Sequence, residues 1–245
     1  MARTGLRPEA VPAAFDSAAN AYDRLVGANP GYHRHLLLSA RRMRLRVGDP
    51  DGRRLRLLDA GCGTGASTAA LLAVAPHARI VAVDGSAGML EVARAKPWPP
   101  TVRFVHSTVE ELDAAGVHGP FDGIFAAYLI RNLADPDAQL RKLRALLRPA
   151  ATLAVHEYSV RDSWWATSVW HAVCWTVIIP AGRLLTGDAT LFRHLWRSVY
   201  DFDGSTRFRQ RLRQAGFTGV SSRTMPGWQR NVVHTFLATR PGEDR

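Results

Sequence analysis

Apolar residues along this chain fall into two alternating patterns, short unbroken runs and stretches at helical intervals, and that alternation predicts the fold. Leu55 to Asp59, Arg79 to Asp84, Val102 to Val105, Phe121 to Ala127 and Thr152 to Tyr158 are short apolar runs of the length of buried strands. Between them, Thr64 to Val74, Ser86 to Ala95 and Ala138 to Leu147 carry the spacing of helices. Strands alternating with helices of this length imply a parallel sheet covered on both faces. A further helix, Thr206 to Ala215, is stopped by Gly216. Val220 to Thr224 and Val232 to Thr239 then follow as two strands joined through Pro226 and Gly227, an antiparallel hairpin that closes a sheet of seven. Ahead of the first strand, Phe15 to Arg46 reads as lead-in helices broken at Asn29-Pro30-Gly31, with Asp49-Pro50-Asp51-Gly52 as the turn into the core.

The rhythm breaks after the fifth strand, where Ser163 to Gly182 holds no formal charge and includes Trp164, Trp165, Trp170 and Trp175. Twenty residues suffice to span a bilayer. The polar Ser163, Thr167, Ser168, His171 and Thr176, with Pro180 and Gly182 at the end, argue instead for a helical insertion at about 160–200. Such a segment either packs on the core or lies at a lipid interface.

Composition narrows the class. The 245 residues carry 32 Lys+Arg against 21 Asp+Glu, a formal net charge of +11, with 47% hydrophobic and 22% charged residues. This balance excludes disordered, collagen-like and multi-pass membrane chains. Cys62 and Cys174 form no disulfide framework, and no CxxC or Cys/His cluster points to zinc, so no metal is expected. Only Lys96 and Lys142 are lysines, which leaves 32 − 2 = 30 arginines. Arginine pairs well with phosphate, so nucleic acid, an anionic membrane or a mere bias of composition would each account for the excess. The cluster from Arg34 to Arg56 has no interleaved aromatics, which disfavours nucleic acid. Met1 to Ala14 has no apolar signal-peptide core, so a cytoplasmic location is expected.

The chemistry concentrates in Leu57-Leu58-Asp59-Ala60-Gly61-Cys62-Gly63-Thr64-Gly65, a strand, a sharp turn and a helix start. Three glycines at alternate positions let a ligand lie against backbone, and the helix N-terminus beyond them offers N–H groups. Asp84 ends the next strand, where a carboxylate in a doubly wound sheet takes both ribose hydroxyls. Together these predict a nucleoside crevice. The spacing is G-x-G-x-G and lacks a following Lys-Ser/Thr, which disfavours a pyrophosphate ligand.

These segments, with Ala82-Val83-Asp84-Gly85-Ser86 and Met89-Leu90, resemble the first motifs of class I S-adenosylmethionine-dependent methyltransferases. The resemblance implies a Rossmann-like α/β fold with S-adenosylmethionine as cofactor and S-adenosylhomocysteine as product. Gly61, Cys62, Gly63, Thr64 and Gly65 would lie under its methionine part and Asp84 would hold its ribose. Gly85, Ser86 and Met89 would border the adenine, with Thr108, Val109 and Ala127 completing the pocket, and Asp59 would face the ammonium directly or through water. Phe15-Asp16, Tyr22-Asp23, Tyr128 to Leu133, Leu146 to Pro149, Glu157-Tyr158-Ser159 and Gln214 to Phe217 are similar to the ubiquinone/menaquinone C-methyltransferase family. In that family the pair matching Arg131-Asn132 faces the quinol; carbon methylation also needs a phenolic proton removed, which His156 or Glu157 at the end of the fifth strand, or Tyr22 on the lead-in, would carry or relay. Arg131, Asn132, Tyr22 and His156 are the expected catalytic set, and a buried structural role for His156 stays open. The chain departs from the family at Ser107-Thr108-Val109, where Thr108 replaces an acid, and at Pro149-Ala150-Ala151, where the family has Pro-Gly-Gly.

On this reading residues 1–50 form a helical lead-in and part of the substrate cap, and residues 51–245 the cofactor-binding core. The insertion at about 160–200 would be a lid over the acceptor pocket. The acceptor expected is a lipid-soluble quinol or related isoprenoid, methylated on carbon. The alternatives are O- or N-methylation of a small secondary metabolite, or a cofactor-binding accessory protein without turnover. An anionic membrane surface is a further expected partner, on the inner face of the membrane, with assembly as a homodimer left open and no nucleic acid, since no Asn/Asp-Pro-Pro-aromatic motif follows the fourth strand.

Overall fold

The computed structural model describes residues 11–16, 31–45 and 51–242. Strands β1 (Arg56–Ala60), β2 (Arg79–Asp84), β3 (Val102–His106), β4 (Phe121–Ala127) and β5 (Leu147–Tyr158) run parallel. β6 (Thr218–Thr224) and β7 (Val233–Thr239) complete a sheet ordered β3-β2-β1-β4-β5-β7-β6. β7 is antiparallel to both neighbours and slots between β5 and β6, as the hairpin reading requires. The strand order reverses between β1 and β4, and a sheet that reverses there opens a crevice at the strands' carboxyl ends.

Alternate strand residues go to opposite faces, and both faces are apolar. Leu57, Ile80, Phe125 and Ala154 pack with helix α1 (Tyr32–Arg42) and helix α2 (Ala66–Val74). Leu58, Val81, Ile124, Ala126, Leu153 and Val155 meet the other core, which includes Leu140 and Leu143 of α4 (Pro136–Leu146) and Phe208 and Leu212 of α8 (Ser205–Gln214). Helix α3 (Ala87–Arg94) starts on Ser86, whose hydroxyl accepts the Met89 N–H, and α4 starts on Asp135 with Pro136 in its first turn.

The insertion is helical, as expected, and longer than its breakers suggest. Helix α5 (Trp164–Val173) runs through a π turn, Cys174–Ile178, into α6 (Ile179–Thr186), followed by α7 (Thr190–Asp201). Pro180 follows on the π turn, in the first turn of α6. Gly182 does not end the helix: a Cβ there would stand 2.2 Å from the Phe192 ring, so the glycine is where α6 and α7 touch.

β5 begins at Leu147 rather than at Thr152. Its register against β4 jumps from Phe121↔Leu147 to Gly123↔Thr152, and the extra residues are held by Ala150 N–H to Arg240 O and Arg240 N–H to Ala151 O, each 3.0 Å. Ala150 takes φ +63° in this bulge, a left-handed conformation that an alanine enters at a cost.

Candidate active site

A cavity of about 460 Å³ opens at the carboxyl ends of β1, β2 and β4. Gly61, Cys62, Gly63, Thr64, Asp84, Gly85, Ser86, Met89, Thr108, Val109 and Ala127 all border it, as do Arg131 and Asn132. The sequence singled out every one of these. Asp59, Gly65 and His156 stand behind the wall instead, and Tyr22 lies outside the described residues.

The floor of the crevice is backbone. Gly61, Gly63 and Gly65 adopt φ +73°, +53° and +92°, which L side chains resist. A Cβ on Gly63 would meet nothing within 4 Å, so that glycine leaves room for a ligand. A Cβ on Gly65 would meet Trp98 at 2.6 Å, so its bareness serves packing. Asp84 is anchored at the rim, one oxygen accepting the Gly63 N–H at 2.7 Å and the other the Ser86 N–H at 2.9 Å. Burial nevertheless raises its pKa, which those two N–H groups oppose. Ser86 also donates to Asp16 at 2.5 Å, and Asp16 accepts the Gly88 N–H at 2.9 Å, which ties residues 11–16 across the mouth, where Val11, Pro12 and Phe15 border the cavity.

Asp59 is sealed. Its Oδ2 accepts from Ser67 at 2.8 Å and Thr68 at 2.6 Å, while Oδ1 has no hydrogen-bond partner among the described residues. Burial pushes its pKa up to about 7 against those hydroxyls. A half-satisfied buried carboxylate next to a glycine loop fits a cationic ligand group close by or one water away.

The other end of the cavity is aromatic. Tyr32 and Leu36 of α1 face Tyr128, which has φ +56° just past β4. Tyr32 and Tyr128 stack at 5.8 Å between centroids, Tyr128 lies 4.8 Å from Tyr158, and Tyr158 lies 4.6 Å from Trp170 of α5. Arg131 points back into this row: its Nη1 donates to Glu157 at 2.6 Å and to the Tyr128 carbonyl at 2.8 Å, and its guanidinium carbon lies 5.7 and 5.5 Å from the Tyr128 and Tyr158 rings. Asn132 donates to the same carbonyl at 3.2 Å, and its Oδ1 has no partner among the described residues.

His156 is fully buried on β5, with Nδ1 2.8 Å from the Ser39 hydroxyl and Nε2 2.9 Å from the Tyr128 hydroxyl. Burial lowers its pKa to about 3, reinforced by His35, Arg42 and His234. It is therefore a neutral imidazole with both nitrogens engaged.

Two features were not anticipated from sequence. The insertion stands one layer back, its Trp170 packed on Tyr158, and none of its described residues borders the cavity. Tyr32, Leu36 and residues 11–15 form the wall in its place. Tyr128 is also a wall residue; its position just past the carboxyl end of β4, the usual place for a ligand contact in such sheets, was the available signal.

A parallel sheet with this reversal, a glycine loop with room for a ligand on bare backbone, a rim carboxylate and a half-satisfied buried acid define a class I S-adenosylmethionine-dependent methyltransferase. Residues 3–232 match the ubiE/COQ5 methyltransferase family, and the chain belongs to it. It is 31% identical to the ubiquinone/menaquinone biosynthesis C-methyltransferase of Bradyrhizobium diazoefficiens, covering 87% of this chain and 85% of that one. It is 29% identical to the demethylmenaquinone methyltransferase of a Parafrankia species across 100% of both chains. Among solved structures, the plantazolicin methyltransferase BpumL in complex with SAH superposes with a TM-score of 0.65 over 95% of each chain at 11% identity, a likeness of fold alone.

Proposed function

We propose that this enzyme methylates a ring carbon of a lipid-soluble quinol. The observation that carries the reading is one continuous cavity, with the glycine loop and Asp84 at one end and the Tyr32, Leu36 and Tyr128 surface beside Arg131 and Asn132 at the other. The curated relatives named above act on quinone precursors, and a flat aromatic ring suits stacked tyrosine walls.

In this reading Gly61, Cys62, Gly63 and Thr64 bed the methionine part of S-adenosylmethionine, Asp84 takes its ribose hydroxyls, and Gly85, Ser86, Met89, Thr108 and Val109 enclose its adenine. Asp59 balances its ammonium from behind the loop. When bound, the cofactor supplies an electrophilic methyl on a sulfonium. The chain's part is to hold the ring carbon in line and keep water out, and positioning of that kind contributes roughly 7–11 kcal/mol. Arg131, permanently charged and fixed by Glu157, lowers the cost of a phenolate on the acceptor, and Asn132 orients the ring oxygen.

The lid takes a different part. Trp164–Leu185 forms a helix long and apolar enough to cross a membrane, yet most of it is not buried. Trp164 is 79% exposed and Leu184 87%, with Trp165, Trp175, Val177 and Leu185 also open. The hydroxyls on this face turn inward, Ser168 to Trp164 O at 2.9 Å and Thr176 to Ala172 O at 2.7 Å. Arginines 161, 183, 193 and 197 flank it in a chain of net charge +11. Such a face supports docking onto an anionic membrane, from which a quinol would be drawn.

The test is calorimetric titration with S-adenosylmethionine, followed by turnover on quinol, phenol and amine acceptors with mass spectrometry of the products. A carbon-methylated quinol is expected; binding with transfer only to amine or phenol oxygen overturns the acceptor, and absence of binding overturns the cofactor site. Partition onto anionic liposomes, weakened by Trp164→Ser with Trp165→Ser, tests the docking face; unchanged partition would reject it.

A further inference from the structure

The chain carries 30 arginines and only two lysines, Lys96 and Lys142, and both lysines make the same kind of contact. Lys96, just past the end of α3, donates from Nζ to the Thr64 carbonyl at 2.8 Å. Lys142, on α4, donates from Nζ to the Glu110 carbonyl at 2.8 Å and pairs with Asp113 at 3.1 Å. Thr64 and Glu110 both border the cavity, the first in the glycine loop and the second in the loop after β3, beside Thr108 and Val109. Neither lysine borders it. Each therefore grips the backbone of one cavity wall from behind.

The arginines behave differently. Arg42, Arg56, Arg94, Arg144, Arg161 and Arg240 also donate to backbone carbonyls, at residues 223 and 224, 120, 104, 216, 201, and 145 and 147 respectively. None of those residues borders the cavity, and Arg131, which reaches the Tyr128 carbonyl, is itself part of the wall. A composition that writes arginine for nearly every cation thus keeps lysine at two places where a cation behind the cavity holds its backbone.

The chemistry of the two groups accounts for the choice. An ammonium is a compact charge with three donors on one atom at the end of a flexible stem, and it meets a single carbonyl from many directions. A guanidinium spreads its donors over a rigid plane suited to carboxylate or phosphate pairs. The surroundings also favour the smaller group. Trp98, two residues past Lys96, stands so near the loop that a Cβ on Gly65 would meet its ring at 2.6 Å, and its Nε1 donates to the Ala93 carbonyl at 2.7 Å. At the other wall Val109 and Leu112 are buried on either side of Glu110, which fixes the turn that Lys142 reaches.

We propose that Lys96 and Lys142 are positioning residues for the cofactor, Lys96 setting the glycine loop under the methionine part and Lys142 setting the loop around the adenine, and that arginine replaces neither. This rests on the cofactor placement proposed above. Gly63 and Gly65 flank Thr64 at positive φ, so the loop is built from residues with wide conformational freedom. A cation on the Thr64 carbonyl holds that backbone in one orientation before the ligand arrives, and preorganisation of this kind lowers the ordering cost of binding.

Calorimetric titration with S-adenosylhomocysteine and with 5′-methylthioadenosine, which keeps the adenosine and lacks the amino-acid end, separates the two walls. Lys96→Met and Lys96→Arg are expected to weaken S-adenosylhomocysteine about tenfold while 5′-methylthioadenosine stays within about twofold of the parent. Lys142→Met and Lys142→Arg are expected to weaken both ligands by the same factor. Urea unfolding reads the fold of each variant separately; where a methionine variant does not fold, the arginine variant, which keeps the charge, carries the test. Parent-like affinity for S-adenosylhomocysteine in either arginine variant overturns the proposal for that lysine, and an equal loss for the two ligands in the Lys96 variants overturns its assignment to the methionine side. A parent that binds neither ligand overturns the cofactor placement and this assignment with it.

Discussion

The Arg131 guanidinium and the Glu157 carboxylate meet at 2.6 Å, with side-chain exposures of only 5% and 0%. Burial raises the Glu157 pKa, and Arg131 is the main influence against that rise. A pair so placed holds the turn after β4 against the end of β5, because neither charge is tolerable without the other.

Removing one partner therefore costs far more than replacing both. Glu157→Gln is expected to lose about 3–5 kcal/mol of stability and most turnover. The double variant Glu157→Leu with Arg131→Met should recover much of the stability and none of the turnover. Urea unfolding beside activity assays checks both halves, and full activity in the double variant would remove Arg131 from the mechanism.

Asp59 makes stability depend on pH. Its carboxyl, near 3.8 when exposed, titrates at about 7 in the fold because burial disfavours its charge. The folded state thus holds a proton that the unfolded chain has released, so this group's contribution is full below about pH 4 and is lost as the pH rises to 7. His156 and His234, lowered by burial to about 3 and about 4, act oppositely, losing stability as the pH falls from 6.5. The difference profile between the parent and Asp59→Asn isolates the acid: the variant should gain relative stability toward pH 7. Binding of S-adenosylmethionine near pH 6 should release a proton, seen as a buffer-dependent heat in the parent and not in the variant.

Two glycines of one loop should fail differently. Gly65→Ala combines positive φ with a 2.6 Å approach to Trp98 and is expected to cost about 2–4 kcal/mol. Gly63→Ala meets open space, so its loss of stability should be about 1 kcal/mol, with the larger effect on cofactor affinity. Thermal melts with and without S-adenosylmethionine separate the two.

Ala150 offers the opposite case. At φ +63° an alanine is strained where glycine is not, so Ala150→Gly is expected to raise stability by up to about 1 kcal/mol. Equal or lower stability, measured by urea unfolding, would mean that the bulge depends on the alanine methyl.

The five parallel strands, the closing hairpin and the nucleoside end of the cavity were legible in the amino-acid order, because each rests on local chemistry. An unbroken apolar run signals a strand buried on both faces, and glycines at alternate positions signal backbone that must turn sharply and lie bare. Gly63 and Asp84 were found this way, Thr108 and Arg131 only through the family resemblance, and all four border the cavity. The long start of β5 was not, since its bulge is held by Arg240, some ninety residues away. The acceptor end was also decided only by tertiary structure. Tyr32, Leu36, Tyr128 and His156 come from three separate segments, and nothing in their local spacing says that they meet. The lid shows the same division: its length and lack of charge were plain in sequence, but its own Trp170 packs on Tyr158 behind the cavity wall, which leaves Trp164, Trp165 and Trp175 facing outward. Local pattern sets which face of an element is apolar, and packing alone decides what that face meets.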